Sequence, residues 1–128
     1  MGRISQIDLD DDVIRVTLLE EFHPVAAERN TVEILRVVAR NKITKVLIDG
    51  REATGDPTLI ERFLYGKFLA NEVHKFVKEH VIVPRFAYVM HVPLRDPGRF
   101  GENVAANRGV DMKTFEALEE AIQWLNSA

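Results

Sequence analysis

The chain has no cysteine, which excludes disulfides, thiolate catalysis and cysteine-held zinc. Its serines, Ser5 and Ser127, stand beside the two ends, and no nucleophile elbow, P-loop or dinucleotide glycine pattern occurs. Nucleophilic and nucleotide chemistry therefore lack their usual supports, and no cofactor is expected. Apolar runs are only a few residues long, as in VLI and VIV, and the opening MGRISQIDLDDD carries no hydrophobic signal segment. A myristoylation signal at Gly2 fails because Gln6 stands where a hydroxyl is needed. An excess of positive charge is missing too, since the formal net charge is -3. Clustered Lys and Arg drive binding to phosphate backbones and anionic lipid. The expectation is thus a cytoplasmic protein with no nucleic-acid partner and no stable membrane insertion.

What the chain does have is an ordinary globular balance: 128 residues, 46% hydrophobic and 29% charged. That length closes one hydrophobic core, so a single domain over residues 1–128 is expected. RISQID and VIRVTLL flank the acidic turn LDDD and predict an antiparallel hairpin over about residues 3–19. Val32, Leu35, Val38 and Ala39 recur at helical spacing between charged residues, which predicts an amphipathic helix over 24–41. ITKVLID is β-branched and apolar up to Asp49, as suits a strand buried on both faces. A second helix is predicted from Pro57 to about His80, with Asp56 as its N-cap. Leu59, Phe63, Gly66, Ala70, Val73 and Val77 form its core stripe, widened by Ile60, Leu64, Leu69 and Phe76. PRFAYVM and DMKTF read as further strands, the long connection between them as holding a short helix, and EALEEAIQWL as a closing helix. The fold class is α/β, in the order β-β-α-β-α-β-α-β-α, with a mixed, mostly parallel sheet.

This order, with its strand ending in Asp49, the long helix, the FAYVM strand and the terminal FEALEEAIQWL, resembles the STAS superfamily. It is most similar to the small stand-alone bacterial proteins described as STAS/SEC14-type or anti-sigma-factor-antagonist-like. The resemblance implies a non-catalytic regulatory or protein-interaction module. In anti-sigma-factor antagonists an Asp-Ser-Ser-Gly run opens the helix after the central strand, and its first Ser is the phosphoacceptor. Counting from Asp49, the run here is Asp56-Pro57-Thr58-Leu59, so Pro57 occupies that position and the usual serine is missing. Thr54 and Thr58 are the nearby hydroxyls.

Two readings of the site stay open. In a largely parallel sheet, ligands gather at the carboxyl edge. That places Asp49, Arg51, Thr54, Asp56 and Thr58 near His91, Arg95 and Arg99, a set suited to a protein contact or a small anionic ligand. Gly50 and Gly55 permit a turn, and the loop from Arg51 to Thr58 with Ile60 to Leu64 forms the favoured docking surface, in a chain expected to self-associate as a homo-oligomer. Alternatively, Phe63, Tyr65, Phe68 and Phe76 line a cavity for a small molecule or lipid beside the long helix, with Tyr65 and Phe68 on its flank. No metal site is expected. Asp8 to Asp12 lack the Gly and Glu of a calcium loop, and His23, His74, His80 and His91 lack metal spacing.

Overall fold

The computed structural model describes residues 3–127, so Gly2 and the outermost residues of the expected 1–128 domain lie outside it. The elements follow the expected order: β1 (Arg3–Asp10), β2 (Val13–Glu21), α1 (Pro24–Asn41), β3 (Lys45–Thr54), α2 (Leu59–His80), β4 (Arg85–Val89), α3 (Phe100–Asn107), β5 (Asp111–Phe115) and α4 (Leu118–Leu125). The sheet runs β1-β2-β3-β4-β5, antiparallel only between β1 and β2. Each parallel step moves one strand along, so α1, α2 and α3 all return over the same face.

Strand alternation then divides the core. Ile14, Val16, Val46, Ile48, Phe86 and Tyr88 point to the three-helix face, and all are buried. Leu47, Ala87, Val89 and Phe115 point to the other, where Ala121 and Leu125 of α4 cover them. A three-helix layer and a single short helix thus enclose the central strands, and the ITKVLID segment is buried on both faces as its composition requires. Arg85 fixes α4 by donating to the Trp124 carbonyl at 2.8 Å while its guanidinium lies 3.9 Å from the Trp124 ring centroid.

Several boundaries differ from expectation. Strand β3 continues past Asp49 to Thr54, because β2 is long enough to pair Leu19, Glu20 and Glu21 with Glu52, Ala53 and Thr54. Gly50 is consequently inside the strand and does not make the turn; an added Cβ there would lie 3.3 Å from the Val89 carbonyl oxygen. Gly55 does make it, at φ +132°, with Phe22 donating to the Thr54 carbonyl at 2.8 Å. Helix α2 begins at Leu59, and its N-cap is Thr58 in place of Asp56. Thr58 accepts from the Glu61 amide at 3.1 Å and the Glu61 carboxylate accepts from the Thr58 amide at 2.8 Å, a reciprocal box that outcompetes a start at Pro57. The closing helix likewise starts two residues late, at Leu118.

The stripe on α2 is half right. Gly66, Leu69, Ala70, Val73 and Phe76 are buried, but Leu59, Ile60 and Leu64 are 63%, 70% and 53% exposed. At 3.6 residues per turn Ile60 and Leu64 lie on the side of the helix away from Leu69 and Val73, so widening the stripe to include them overstates the buried face.

Candidate functional site

Three groups of side chains sit toward the carboxyl edge, and the sheet separates one from the others. On the α4 side, Asp49 is almost buried beyond the cover of that helix. Arg51 donates to it through Nε and Nη2 at 2.9 Å each and through its amide at 3.2 Å, and Arg15 of β2 donates through Nη2 at 2.9 Å. These bonds, Arg51 foremost, hold the Asp49 carboxyl down at about 2 against the desolvation that opposes ionisation. Strand register places them together, since Thr17 pairs with Asp49 and Arg15 lies two residues before it on the same face. Every Asp49 oxygen is engaged, so the cluster works as a clamp between β2 and β3.

The second group is the start of α2. The capping box consumes the Thr58 hydroxyl, and Arg62 is the tie behind it. Its guanidinium donates to the carbonyls of Pro57 (3.0 Å), Pro93 (2.9 Å) and Leu94 (3.0 Å). Asp56 lies 3.4 Å away. Arg62 thereby fastens the segment after β4 to the helix. In front of it, Leu59, Ile60 and Leu64 face outward without cover from the described residues.

The third group lines a cavity of about 130 Å³ between the sheet and the first halves of α1 and α2. Leu18, Ile48, Tyr88, Met90 and Met112 form its floor, Ile34, Tyr65 and Leu69 its walls. The hydroxyls of Tyr65 and Tyr88 stand 2.6 Å apart, and burial pushes both phenols above their ordinary ionisation range. Tyr65 therefore turns inward, contrary to its expected place on the flank. At one side Glu102 binds the hydroxyl and amide of Thr114, and Arg95 donates to the same hydroxyl at 3.0 Å and to the Thr114 carbonyl at 3.1 Å.

The eight residues singled out from the sequence are not gathered into one group. Asp49 and Arg51 belong to the clamp, Asp56 and Thr58 to the α2 start, and Arg95 and Arg99 to the cavity lining, while Thr54 and His91 are exposed outside it. Arg15, Arg62, Tyr88, Glu102 and Thr114 escaped the sequence reading, and of the four aromatics expected beside a cavity Tyr65 lines this one while Phe63, Phe68 and Phe76 do not. Only Thr58-x-x-Glu61 carried a local signal, the capping-box spacing. Among the described residues, no group of three His, Asp or Glu could hold a metal, and no helix is long and apolar enough to cross a membrane. His23 caps α1, and the Nε2 of His74 meets the Arg108 carbonyl at 2.6 Å.

No protein-family model and no curated protein matches the chain. Solved structures do match over nearly its full length. An uncharacterised Shewanella loihica protein with a SpoIIAA-like fold shares 20% identity at a TM-score of 0.52, covering 98% of this chain and 95% of that one. An anti-sigma factor antagonist from Mycobacterium paratuberculosis shares 17% at 0.56, covering 95% and 92%. The anti-sigma factor antagonist SpoIIAA in its unphosphorylated form shares 14% at 0.53, covering 96% and 98%. The chain has this STAS-like, SpoIIAA-like fold.

Proposed function

We propose that the chain is a non-catalytic regulatory module that binds another protein through the start of α2. The observation that carries this reading is the exposure of Leu59, Ile60 and Leu64, at 63%, 70% and 53%, beside the Gly55–Thr58 turn. A contiguous apolar face of that kind on a small protein marks a contact surface. Asp56 and Glu61 stand beside it with the exposed cation Lys67, whereas Arg62 is turned toward backbone carbonyls. The partner's contact is accordingly apolar at its centre and basic at its rim. Likeness to anti-sigma factor antagonists in fold supports a regulatory role. With Pro57, which has no hydroxyl, at the position of the switch serine, the contact is not regulated by phosphorylation at that residue. Catalysis has no support in the described residues, where Asp49, Arg51, Arg62, Arg95 and Glu102 are tied to one another, to Thr114 or to backbone.

The test is affinity capture from source cells with the wild-type chain and with an Ile60→Asp/Leu64→Asp variant, after circular dichroism shows both folded. A partner held by the wild type, lost by the variant and cross-linked to the first two turns of α2 is expected. A partner bound equally by both overturns the reading. If native mass spectrometry shows instead that the variant only splits a homodimer, the face is a self-association surface and the basic-rimmed partner is wrong.

A further inference from the structure

We propose that the cavity beneath the first half of α2 binds a neutral, single-ring aromatic molecule bearing one hydroxyl or a similar hydrogen-bonding group. Size sets the first limit. A space of about 130 Å³ is slightly smaller than the roughly 150 Å³ apolar cavity known to accept benzene, and far below the roughly 300 Å³ at which drug-sized pockets begin. One ring is the upper limit of what this space holds, and an acyl chain exceeds it.

The lining sets the second limit. Leu18, Ile34, Ile48 and Leu69 present aliphatic surface, while Met90 and Met112 bring polarisable sulfurs that favour aromatic neighbours. Within this apolar wall stands the Tyr65 and Tyr88 hydroxyl pair. Two phenols carry two hydrogens and four lone pairs; their mutual bond uses one of each and Thr31 also meets the Tyr65 hydroxyl, so acceptor lone pairs, above all on Tyr88, remain to meet a polar substituent.

Charge sets the third. Each charged side chain that adjoins the interior is already bonded within the chain: Arg62 to three carbonyls, Arg95 to Thr114, and Glu102 to Thr114. Arg99 is exposed at the mouth. An ionised ligand would give up hydration without gaining a buried counter-charge, so a neutral one is preferred.

The proposal is tested on the full chain by NMR titration with phenol and, separately, benzene, following side-chain methyl signals. Expected are shifts confined to Leu18, Ile34, Ile48, Leu69, Met90 and Met112, with phenol bound roughly five- to tenfold more tightly, the yield of one hydrogen bond. Tyr88→Phe should abolish that preference while leaving benzene binding in place, a ratio insensitive to any change in stability. Ala27→Leu and Ala53→Leu fill the cavity from two different elements, and each should abolish binding of both compounds in a spectrum that remains dispersed. The proposal is overturned if neither compound shifts the cavity methyls at millimolar concentration, if both filled variants still bind, or if Tyr88→Phe keeps the phenol preference.

Discussion

The two halves of α2 belong to one helix but do different things. From Leu69 onward the helix lies over the sheet and buries Leu69, Ala70, Val73 and Phe76. Before Gly66 it shows Leu59, Ile60 and Leu64 to solvent and leaves a cavity between Tyr65 and the sheet. Gly66 marks the change, because α3 approaches so closely that an added Cβ would lie 2.7 Å from the Gly101 carbonyl oxygen. Ile60 and Leu64 stand on the opposite side of the helix from Leu69 and Val73, while Leu59 shares the buried side and is left exposed in the first turn. Beneath the inner side the two halves differ in how fully the space against the sheet is filled, which the helix's own sequence does not encode.

The largest effect should come from cutting into the buried half. Leu69→Ala is expected to cost about 3 kcal/mol in urea unfolding, whereas Leu64→Ala should stay within about 0.5 kcal/mol. Equal losses at the two positions would erase the distinction between the halves. Next comes the clamp on the opposite face of the sheet. Folding lowers the Asp49 carboxyl from 3.8 to about 2, which is worth about 2 kcal/mol. Because the folded value is the depressed one, this stability is fully present above pH 3.8 and is lost as pH falls toward about 2. Asp49→Asn should be destabilised by a similar amount at neutral pH and show a flatter acid limb; a superimposable limb would mean the clamp contributes nothing. The smallest effect belongs to the helix start. Thr58→Ala should cost about 1 kcal/mol and Asp56→Ala less than about 0.5 kcal/mol, and the reverse order would restore Asp56 as the cap.

The order of elements was legible because each strand and helix here carries its own periodicity and its own stop signal. Asn41 and His80 end their helices where the apolar pattern ends, and Lys42 and Val81 take the left-handed conformation just beyond. DMKTF is bounded so clearly by the preceding glycine turn that β5 has the expected limits. Asp49 looked like a strand end because charge usually marks one. In the fold it is an interior position, since Arg15 and Arg51 supply counter-charges from a neighbouring strand and from two residues on. The site was less legible for the same reason. Tyr65 meets Tyr88 across 23 residues, and Arg62 reaches Leu94 across 32, separations at which no local spacing rule operates.

By itself, then, the sequence determined the alternation of strands and helices, their mostly parallel assembly and the absence of cysteine chemistry, because hydrophobic period, turn residues and composition are local properties of the chain. Only the tertiary structure decided which apolar face of α2 stays wet, that a cavity lies beneath it, and that the sheet parts Asp49 and Arg51 from Arg95 and Arg99. Those outcomes depend on which distant side chains fill the space between elements and on which face of the sheet each strand residue emerges, and these are settled when the layers pack.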